Sequence, residues 1–222
     1  MMELLNAHSL CKKYGQQLIL NEVDFTLCEQ EIAVIKGRSG TGKSTFLNIC
    51  SMLEKPDNGE ILYRGKSVNN CSYDEKQRIL REEIGYVFQD FNLFENLTVY
   101  ENLYIYMTLV SDLGKYEINQ VINKNLEELG LLAKIHDKVR VLSGGEKQRV
   151  AMVRTMLVDK KIVFADEPTA NIDDENAKIM VDIFNKLKER KTGIIIVSHD
   201  DIFDCIADRI YHLEGGGLIW EK

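Results

Sequence analysis

The sequence predicts an α/β fold built around a mainly parallel sheet. Short apolar runs typical of buried strands alternate along the chain with amphipathic stretches typical of helices. Several of these runs stop abruptly at glycine or at polar residues, as buried parallel strands do at the edge of a sheet. Only two prolines occur among the 222 residues, so most of the chain is free to form regular structure.

The composition is that of an ordinary globular protein, with 45% hydrophobic and 28% charged residues. The formal net charge is −7, and this acidic balance argues against nucleic acid as a partner, because no basic field exists to displace counterions. Five scattered cysteines without a C-x-x-C pair argue against a disulfide framework or a zinc site and favour a reducing cytosol. We expect neither a signal peptide nor a transmembrane segment, since the longest nearly apolar stretch, 103–110, is far too short.

The predicted elements follow one another in a regular order. Residues 23–27 alternate as a half-buried strand does, and 32–35 form a continuous apolar run followed by an amphipathic helix. The sequence Pro-Asp-Asn-Gly at 56–59 predicts a turn. Later elements are buried strands at 84–88, 162–165 and 194–197, an amphipathic helix at 175–189, and two short strands around the glycines at 215–217.

Residues from about 99 to 157 differ from this alternation. Apolar side chains recur there at helical spacing, as at Ile118, Ile122 and Leu126, and no strong strand pattern interrupts them. We therefore expect a helical insertion within the α/β core.

Residues 37–44, Gly-Arg-Ser-Gly-Thr-Gly-Lys-Ser, fit the phosphate-loop pattern G-x-x-x-x-G-K-[ST] between a buried strand and an amphipathic helix. Glycines let backbone N–H groups wrap a triphosphate, and the helix N-terminus adds a favourable dipole. Lys43 is expected to bridge the β- and γ-phosphates, and the Ser44 hydroxyl to bind Mg²⁺. The alternative is a glycine-rich turn with a chance lysine. The predicted triphosphate-binding residues are Gly37, Arg38, Ser39, Gly40, Thr41, Gly42, Lys43, Ser44 and Thr45.

Two carboxylates, Asp166 and Glu167, directly follow the buried strand at 162–165. Open α/β sheets bind ligands at the carboxyl ends of their strands. Adjacent strand residues point to opposite faces, so the two acids have different tasks. We predict that Asp166 holds the Mg²⁺ and its water shell, and that Glu167 orients and deprotonates the attacking water. The alternative is that these acids merely end the strand.

Residues 142–149, Leu-Ser-Gly-Gly-Glu-Lys-Gln-Arg, resemble the signature motif of ABC-type ATPases. Ser143 and Glu146 form an S-x-x-E capping box, and Gly144 and Gly145 permit close backbone approach. The segment is thus a second helix N-terminus suited to an anion, although a helix cap without a ligand is the alternative.

The resemblance spans nearly the whole chain, with its motifs in family order. It implies a P-loop NTPase core with a mainly parallel sheet, an antiparallel β region and a helical signature subdomain at approximately 90–157, all within one nucleotide-binding domain, 1–222. Tyr14 matches the aromatic residue that stacks on adenine. Gln89 matches the Q-loop glutamine, which contacts Mg²⁺ and senses the transporter. His199 matches the switch histidine that contacts the γ-phosphate.

Asp173 matches the D-loop aspartate, whereas Asn171 and Ile172 depart from the usual D-loop form. These departures leave the details of coupling across a dimer open.

The resemblance further implies a head-to-tail homodimer, or a heterodimer, that hydrolyses Mg-ATP at a composite interface. Each ATP lies between one phosphate loop and the partner's signature, which in this sequence is Ser143, Gly144, Gly145 and Glu146. The implied metal-binding residues are Ser44, Gln89 and Asp166, and the implied catalytic residues are Glu167, His199 and Lys43. Hydrolysis is expected to drive a separate transmembrane permease from the cytoplasmic side, with the cassette held peripherally on the inner face of the membrane.

Segments 87–94 and 165–171 are especially similar to the branch of macrolide exporters, lipoprotein-release complexes and antimicrobial-peptide resistance transporters. Several aromatic residues lie near where the family receives a coupling helix, although filling the core of the helical lobe is an equal alternative for each. These residues are Phe91, Phe94, Tyr100, Tyr104 and Tyr106.

Three other functions are weighed against a transport ATPase. An ABC-type ATPase of chromosome organisation would carry a long coiled-coil insertion or zinc modules, and the sequence has neither. A nucleotide-gated module that organises a membrane complex with little transport, as in cell division, is left open by the motifs. A GTPase is disfavoured, since residues 123–126, Asn-Lys-Asn-Leu, lack the aspartate of the N-K-x-D pattern.

Overall fold

The computed structural model describes residues 2–69, 71–170 and 172–221, which form two sheets and six α-helices. The strands are β1 (Glu3–Tyr14), β2 (Gln17–Cys28), β3 (Ile32–Lys36), β4 (Asn58–Tyr63), β5 (Lys66–Ser67), β6 (Ile84–Val87), β7 (Ile162–Asp166), β8 (Gly193–Val197), β9 (Arg209–Glu214) and β10 (Gly217–Trp220). The helices are α1 (Lys43–Cys50), α2 (Tyr73–Glu82), α3 (Val99–Val110), α4 (Lys115–Glu128), α5 (Gly144–Met156) and α6 (Asp174–Glu189).

The larger sheet has six strands in the order β10-β9-β3-β8-β7-β6. All its neighbours pair in parallel except β10, which pairs antiparallel with β9. The apolar runs predicted as buried strands lie at its centre: β3, β7 and β8 are buried over nearly their whole length. The prediction of an α/β fold with a mainly parallel sheet is therefore confirmed.

A second, four-stranded antiparallel sheet has the order β2-β1-β4-β5. The strand predicted at 23–27 is the second half of the long β2. The predicted turn at 56–59 is shorter than expected, since Asn58 already pairs with Cys11 and begins β4. Gly59 nevertheless adopts the positive φ, +94°, that the Asn-Gly pair predicts, and it faces a register shift in β1.

The parallel sheet has a separate hydrophobic cluster on each face. In β3, Ile32 and Val34 pack into one cluster with α3 to α6, whereas Ala33 and Ile35 pack into the other with α1 and the antiparallel sheet. This division follows from the pleat, because successive strand residues point to opposite faces.

Between β6 and β7 the chain forms α3, α4, α5 and two short 3₁₀ turns, as the helical spacing predicted. Helix α2 was not predicted from the sequence: Ser72 caps it, none of its residues is fully buried, and Ile79 and Leu80 pack against the core. Among the described residues, no helix has the length and apolar character needed to cross a bilayer.

We predict that Gly59→Ala lowers the free energy of unfolding by about 2–4 kcal/mol. A Cβ at this position would lie 2.5 Å from the carbonyl oxygens of both His8 and Ser9, at a φ that alanine disfavours. Gly65→Ala is the matched control, since its φ is +76° but a Cβ there meets no described atom within 4 Å. Gly65→Ala should lower the free energy of unfolding by only about 1 kcal/mol. Urea denaturation measures both, and equal losses would show that contact with β1 does not require glycine at position 59.

Candidate active site

The phosphate loop joins the end of β3 to the start of α1 and lines a cleft of about 660 Å³. Two of its glycines are required, because atoms of neighbouring residues lie where a side chain would begin. A Cβ at Gly42, where φ is +103°, would lie 2.6 Å from the side chain of Ile19, and one at Gly37 would lie 2.8 Å from the carbonyl oxygen of Leu213. The predicted triphosphate-binding residues that line the cleft are Gly37, Arg38, Ser39, Gly40, Gly42, Lys43, Ser44 and Thr45. Thr41 instead donates its hydroxyl hydrogen bond to the carbonyl of Arg38.

Lys43 is a buried cation at the base of this loop. Its Nζ donates to the carbonyl oxygens of Gly37 at 3.0 Å and Arg38 at 3.2 Å, and it lies 3.7 Å from Oε1 of Glu167. The loop therefore holds a buried positive charge where glycine amides and a helix N-terminus already favour an anion.

Ser44, which lines the cleft, meets Asp166, which does not line it. The Ser44 hydroxyl donates to Oδ1 of Asp166 at 3.1 Å. Burial raises the pKa of Asp166, while the hydrogen bond from Ser44 opposes that shift. These oxygen groups suit a hard cation such as Mg²⁺. No group of three His, Cys, Asp or Glu side chains that could hold a metal occurs in the described ranges, so a metal here would need further ligands from a bound phosphate.

Glu167 has a left-handed backbone, with a φ of +46°. Its N–H donates to the carbonyl of Val197 at 2.9 Å, and its Oε2 accepts from the ring Nδ1 of His199 at 2.8 Å. Strand alternation predicted that Asp166 and Glu167 point oppositely, and this expectation is wrong. Because β7 ends at Asp166 and the chain turns at Glu167, both carboxylates reach the phosphate loop, one at Ser44 and the other at Lys43.

Two predicted residues line the cleft from other elements. Tyr14 is the last residue of β1, and its half-exposed ring lies beside Gln17 and Thr45. Gln89 follows β6. The cleft thus receives residues from the antiparallel sheet, the phosphate loop and the ends of three parallel strands.

The segment at 142–149 forms the predicted helix cap. The Ser143 Oγ accepts from the N–H of Glu146 at 3.3 Å, and Oε2 of Glu146 accepts from the N–H of Ser143 at 2.8 Å. This backbone hydrogen bond lowers the pKa of Glu146, so its carboxylate stays charged. None of the described residues at 142–149 lines the cleft, so this helix N-terminus lies apart from the phosphate loop of the same chain.

A hydrogen bond that links α5 to the loop carrying Glu167 was not predicted from the sequence. Gln148 is 1% exposed, and its Nε2 donates to the carbonyl oxygen of Pro168 at 2.7 Å. The amide therefore joins the signature helix to the residue directly after Glu167. No sequence signal predicted this bond, because the two residues are 20 positions apart and belong to different elements.

Asp173 caps α6, and Asn176 joins it to α5. Oδ1 of Asp173 accepts from the N–H of Asn176 at 2.9 Å and from its side-chain amide at 2.8 Å. The other side-chain atom of Asn176, Oδ1, accepts from Arg149. A Cβ at Gly145 would lie 2.4 Å from Nδ2 of Asn176, so this glycine is required by the packing of α5 on α6. Asn171, the variant D-loop residue, lies outside the described residues.

A sequence model of the ABC transporter family matches residues 20–170. The chain is 34% identical to the lipoprotein-releasing system ATP-binding protein LolD 2 of Chlorobaculum tepidum, over 97% of this chain and 91% of that protein. It is 33% identical to the macrolide export ATP-binding/permease protein MacB of Bdellovibrio bacteriovorus, over 89% of this chain. The chain spans only 30% of that MacB protein. The predicted resemblance to the macrolide-export and lipoprotein-release branch is confirmed.

Solved structures of ABC transporter cassettes have the same fold as this chain. The dimeric structure of the bacterial ABC transporter cassette MJ0796 superposes with a TM-score of 0.91 at 32% identity, covering 99% of this chain and 98% of that one. A dimeric post-hydrolysis state of MJ0796 bound to ADP and Pi superposes with a TM-score of 0.90. Together with the phosphate-loop cleft described above, these matches identify the chain as an ATP-binding cassette that belongs to the ABC transporter family.

Proposed function

We propose that this chain hydrolyses Mg-ATP at the interface of a homodimer and so drives a separate transmembrane permease. The convergence of Lys43, Glu167 and His199 in one cleft, with the signature helix of the same chain outside it, carries the proposal. The triphosphate lies along the phosphate loop, where the amides and Lys43 bind the β- and γ-phosphates.

Ser44, Asp166 and Gln89 would hold a bound Mg²⁺ together with the phosphates. The metal would supply positive charge that offsets the charge developing on the phosphate oxygens. The Ser44–Asp166 hydrogen bond and the position of Gln89 on the cleft wall support this assignment.

Glu167 accepts the proton of the attacking water. Its carboxylate accepts the hydrogen bond of His199 at Nδ1, so the proton of the imidazole resides on the nitrogen that faces Glu167. His199 thereby holds the carboxylate in place, and its largely exposed ring is free to approach the γ-phosphate. Lys43, 3.7 Å from the same carboxylate, stabilises the negative charge that develops on the transferred phosphoryl group.

A second copy completes the site. The capped N-terminus of α5 presents backbone amides and the positive end of the helix dipole, which suit an anion. It does not reach the cleft of its own chain. In a head-to-tail homodimer the signature of one chain covers the γ-phosphate bound by the other. The helices between about 90 and 157 act as the subdomain that presents this signature.

The permease docks in an apolar groove of about 360 Å³ that is lined by Phe88, the residue directly before Gln89 in the chain. Leu53, Phe88 and Leu109 line this groove, and Leu53 and Leu109 are exposed, which suits the apolar face of a helix from the partner. Of the aromatic residues predicted for this role, Tyr106 lines the groove, whereas Tyr100 and Tyr104 stack on each other against the core. Docking there holds the cassette on the inner face of the membrane.

We predict that Glu167→Gln retains Mg-ATP binding and loses turnover by about 10²–10⁴-fold, since a general base contributes about that much. The ATP-bound dimer should persist, and size-exclusion chromatography with ATP detects it. Glu175→Gln, at an exposed position in the first turn of α6, is the control and should keep the wild-type rate. A wild-type rate in Glu167→Gln would mean that another group is the base.

We predict that Lys43→Ala abolishes measurable ATP binding in calorimetry, because the loop then lacks its one buried cation at the triphosphate. Lys13→Ala, on the exposed end of β1, removes the same charge outside the cleft and should bind ATP normally. Unchanged affinity in Lys43→Ala would refute the phosphate-loop role of this lysine.

We predict that Ser143→Arg leaves ATP binding by the monomer intact but prevents the ATP-dependent dimer, because a bulky side chain then blocks the signature face. Ser72→Arg is matched to it, since Ser72 caps α2 with the same type of bond, from Glu75 N–H at 3.2 Å. Ser143→Arg and Ser72→Arg are each combined with Glu167→Gln and examined by analytical ultracentrifugation with ATP. Only the combination with Ser143→Arg should lack the dimer. Loss of monomer binding in Ser143→Arg would indicate that the motif acts within its own chain.

A further inference from the structure

Glu54 lies outside the cleft, and its carboxylate holds the ring of Tyr14 at the edge of the cleft. The Tyr14 hydroxyl donates to Glu54, lying 2.7 Å from Oε1 and 2.8 Å from Oε2. Glu54 follows α1, and its own N–H donates to the carbonyl of Asn48 in that helix at 3.0 Å. The ring is therefore fixed to the helix whose N-terminus forms the phosphate loop.

We propose that Glu54 is a positioning residue for the nucleobase, which orients the Tyr14 ring so that adenine stacks on it while the triphosphate lies on the phosphate loop. This inference rests on the proposed function, because it assumes that ATP occupies the cleft. Glu54 itself does not line the cleft and acts only through Tyr14.

The need for an anchor follows from the exposure of the ring. Tyr14 is 49% exposed at the end of a strand, just before the two-residue turn into β2, so packing alone does not fix its side-chain torsions. A free ring loses rotamer entropy when a base stacks on it, whereas an anchored ring has already lost that entropy on folding. The anchor thus increases affinity for the base without touching it.

Lys12 keeps the carboxylate of Glu54 ionised. Nζ of Lys12 lies 2.8 Å from Oε1 of Glu54 and also donates to the carbonyl of Lys55 at 2.8 Å. Burial opposes ionisation of Glu54, but the hydrogen bonds from Lys12 and Tyr14 outweigh it and lower its pKa, so the carboxylate remains an acceptor at neutral pH. The bond to Glu54 also raises the pKa of Tyr14, so the phenol remains a donor.

Calorimetric titration of the full chain with ATP and with inorganic tripolyphosphate, which has no base, tests the inference. Glu54→Ala and Tyr14→Phe should each weaken ATP binding by roughly 3- to 10-fold, the cost of an unanchored side chain, and leave tripolyphosphate binding unchanged. The double variant should be no weaker than either single one, because both changes remove the same bond. Glu54→Gln keeps an acceptor oxygen and should restore most of the affinity.

The hydrolysis rate separates positioning from structural damage. Glu54→Ala should raise KM and leave kcat unchanged, since stacking of the base is the same in the ground state and the transition state. Glu60→Ala removes an equal charge from an exposed position on β4 and should leave both constants unchanged.

The outcomes distinguish this inference from the proposed function. If Tyr14→Ala binds ATP as the wild type does, the stacking role that the resemblance implies for Tyr14 is wrong and the inference fails with it, while the proposed hydrolysis of ATP stands. If Tyr14→Ala weakens ATP binding but Glu54→Ala does not, only the inference is overturned. Equal weakening of ATP and tripolyphosphate in Glu54→Ala would likewise overturn it, because Glu54 would then support the phosphate loop and not the base.

Discussion

The register between β3, β8 and β7 is the constraint on which the site depends. Ile35 pairs with Val197, and Val197 pairs with Asp166, so the carboxyl ends of three buried strands lie in one row. The residues that follow these ends are the phosphate loop, His199 and Glu167. Because the strands are apolar and buried on both faces, their backbone groups have no alternative partners, and a slip in register would expose the core and scatter the site.

The two faces of this sheet bring different parts of the site to the same edge. One cluster packs the sheet against α1 and the antiparallel sheet, which delivers Tyr14, and the other packs it against the helices that carry the signature. Alternate residues of single strands belong to opposite clusters. Tyr14 and the signature helix are thus held on opposite faces of the same few strands, while the Tyr14–Glu54 bond directly links the base end of the cleft to the segment that follows α1.

Sequence reasoning succeeded where a local pattern carries the tertiary information. Apolar runs that stop at a loop predicted the strand ends at which the phosphate loop, Asp166 and Glu167 lie, whereas His199 was identified only through the resemblance to ABC-type ATPases. It failed on the direction of Glu167, because the positive φ at that residue interrupts strand alternation. Glu54 could not have been predicted, since it lies 40 residues from Tyr14 and only the packing of α1 beside β1 brings the two together.

The buried bond from Gln148 to the carbonyl of Pro168 has a mechanical consequence. If α5 moved relative to β7, this amide would lose its partner in a site without solvent, at a cost of about 1–3 kcal/mol. The hydrogen bond from Arg149 of α5 to Asn176 of α6 would break as well if α5 also moved relative to α6. These bonds couple the signature helix to the loop that carries Glu167. In the proposed homodimer, each chain presents its signature to one ATP and its glutamate to the other, so this connection gives the two sites a direct means of communication.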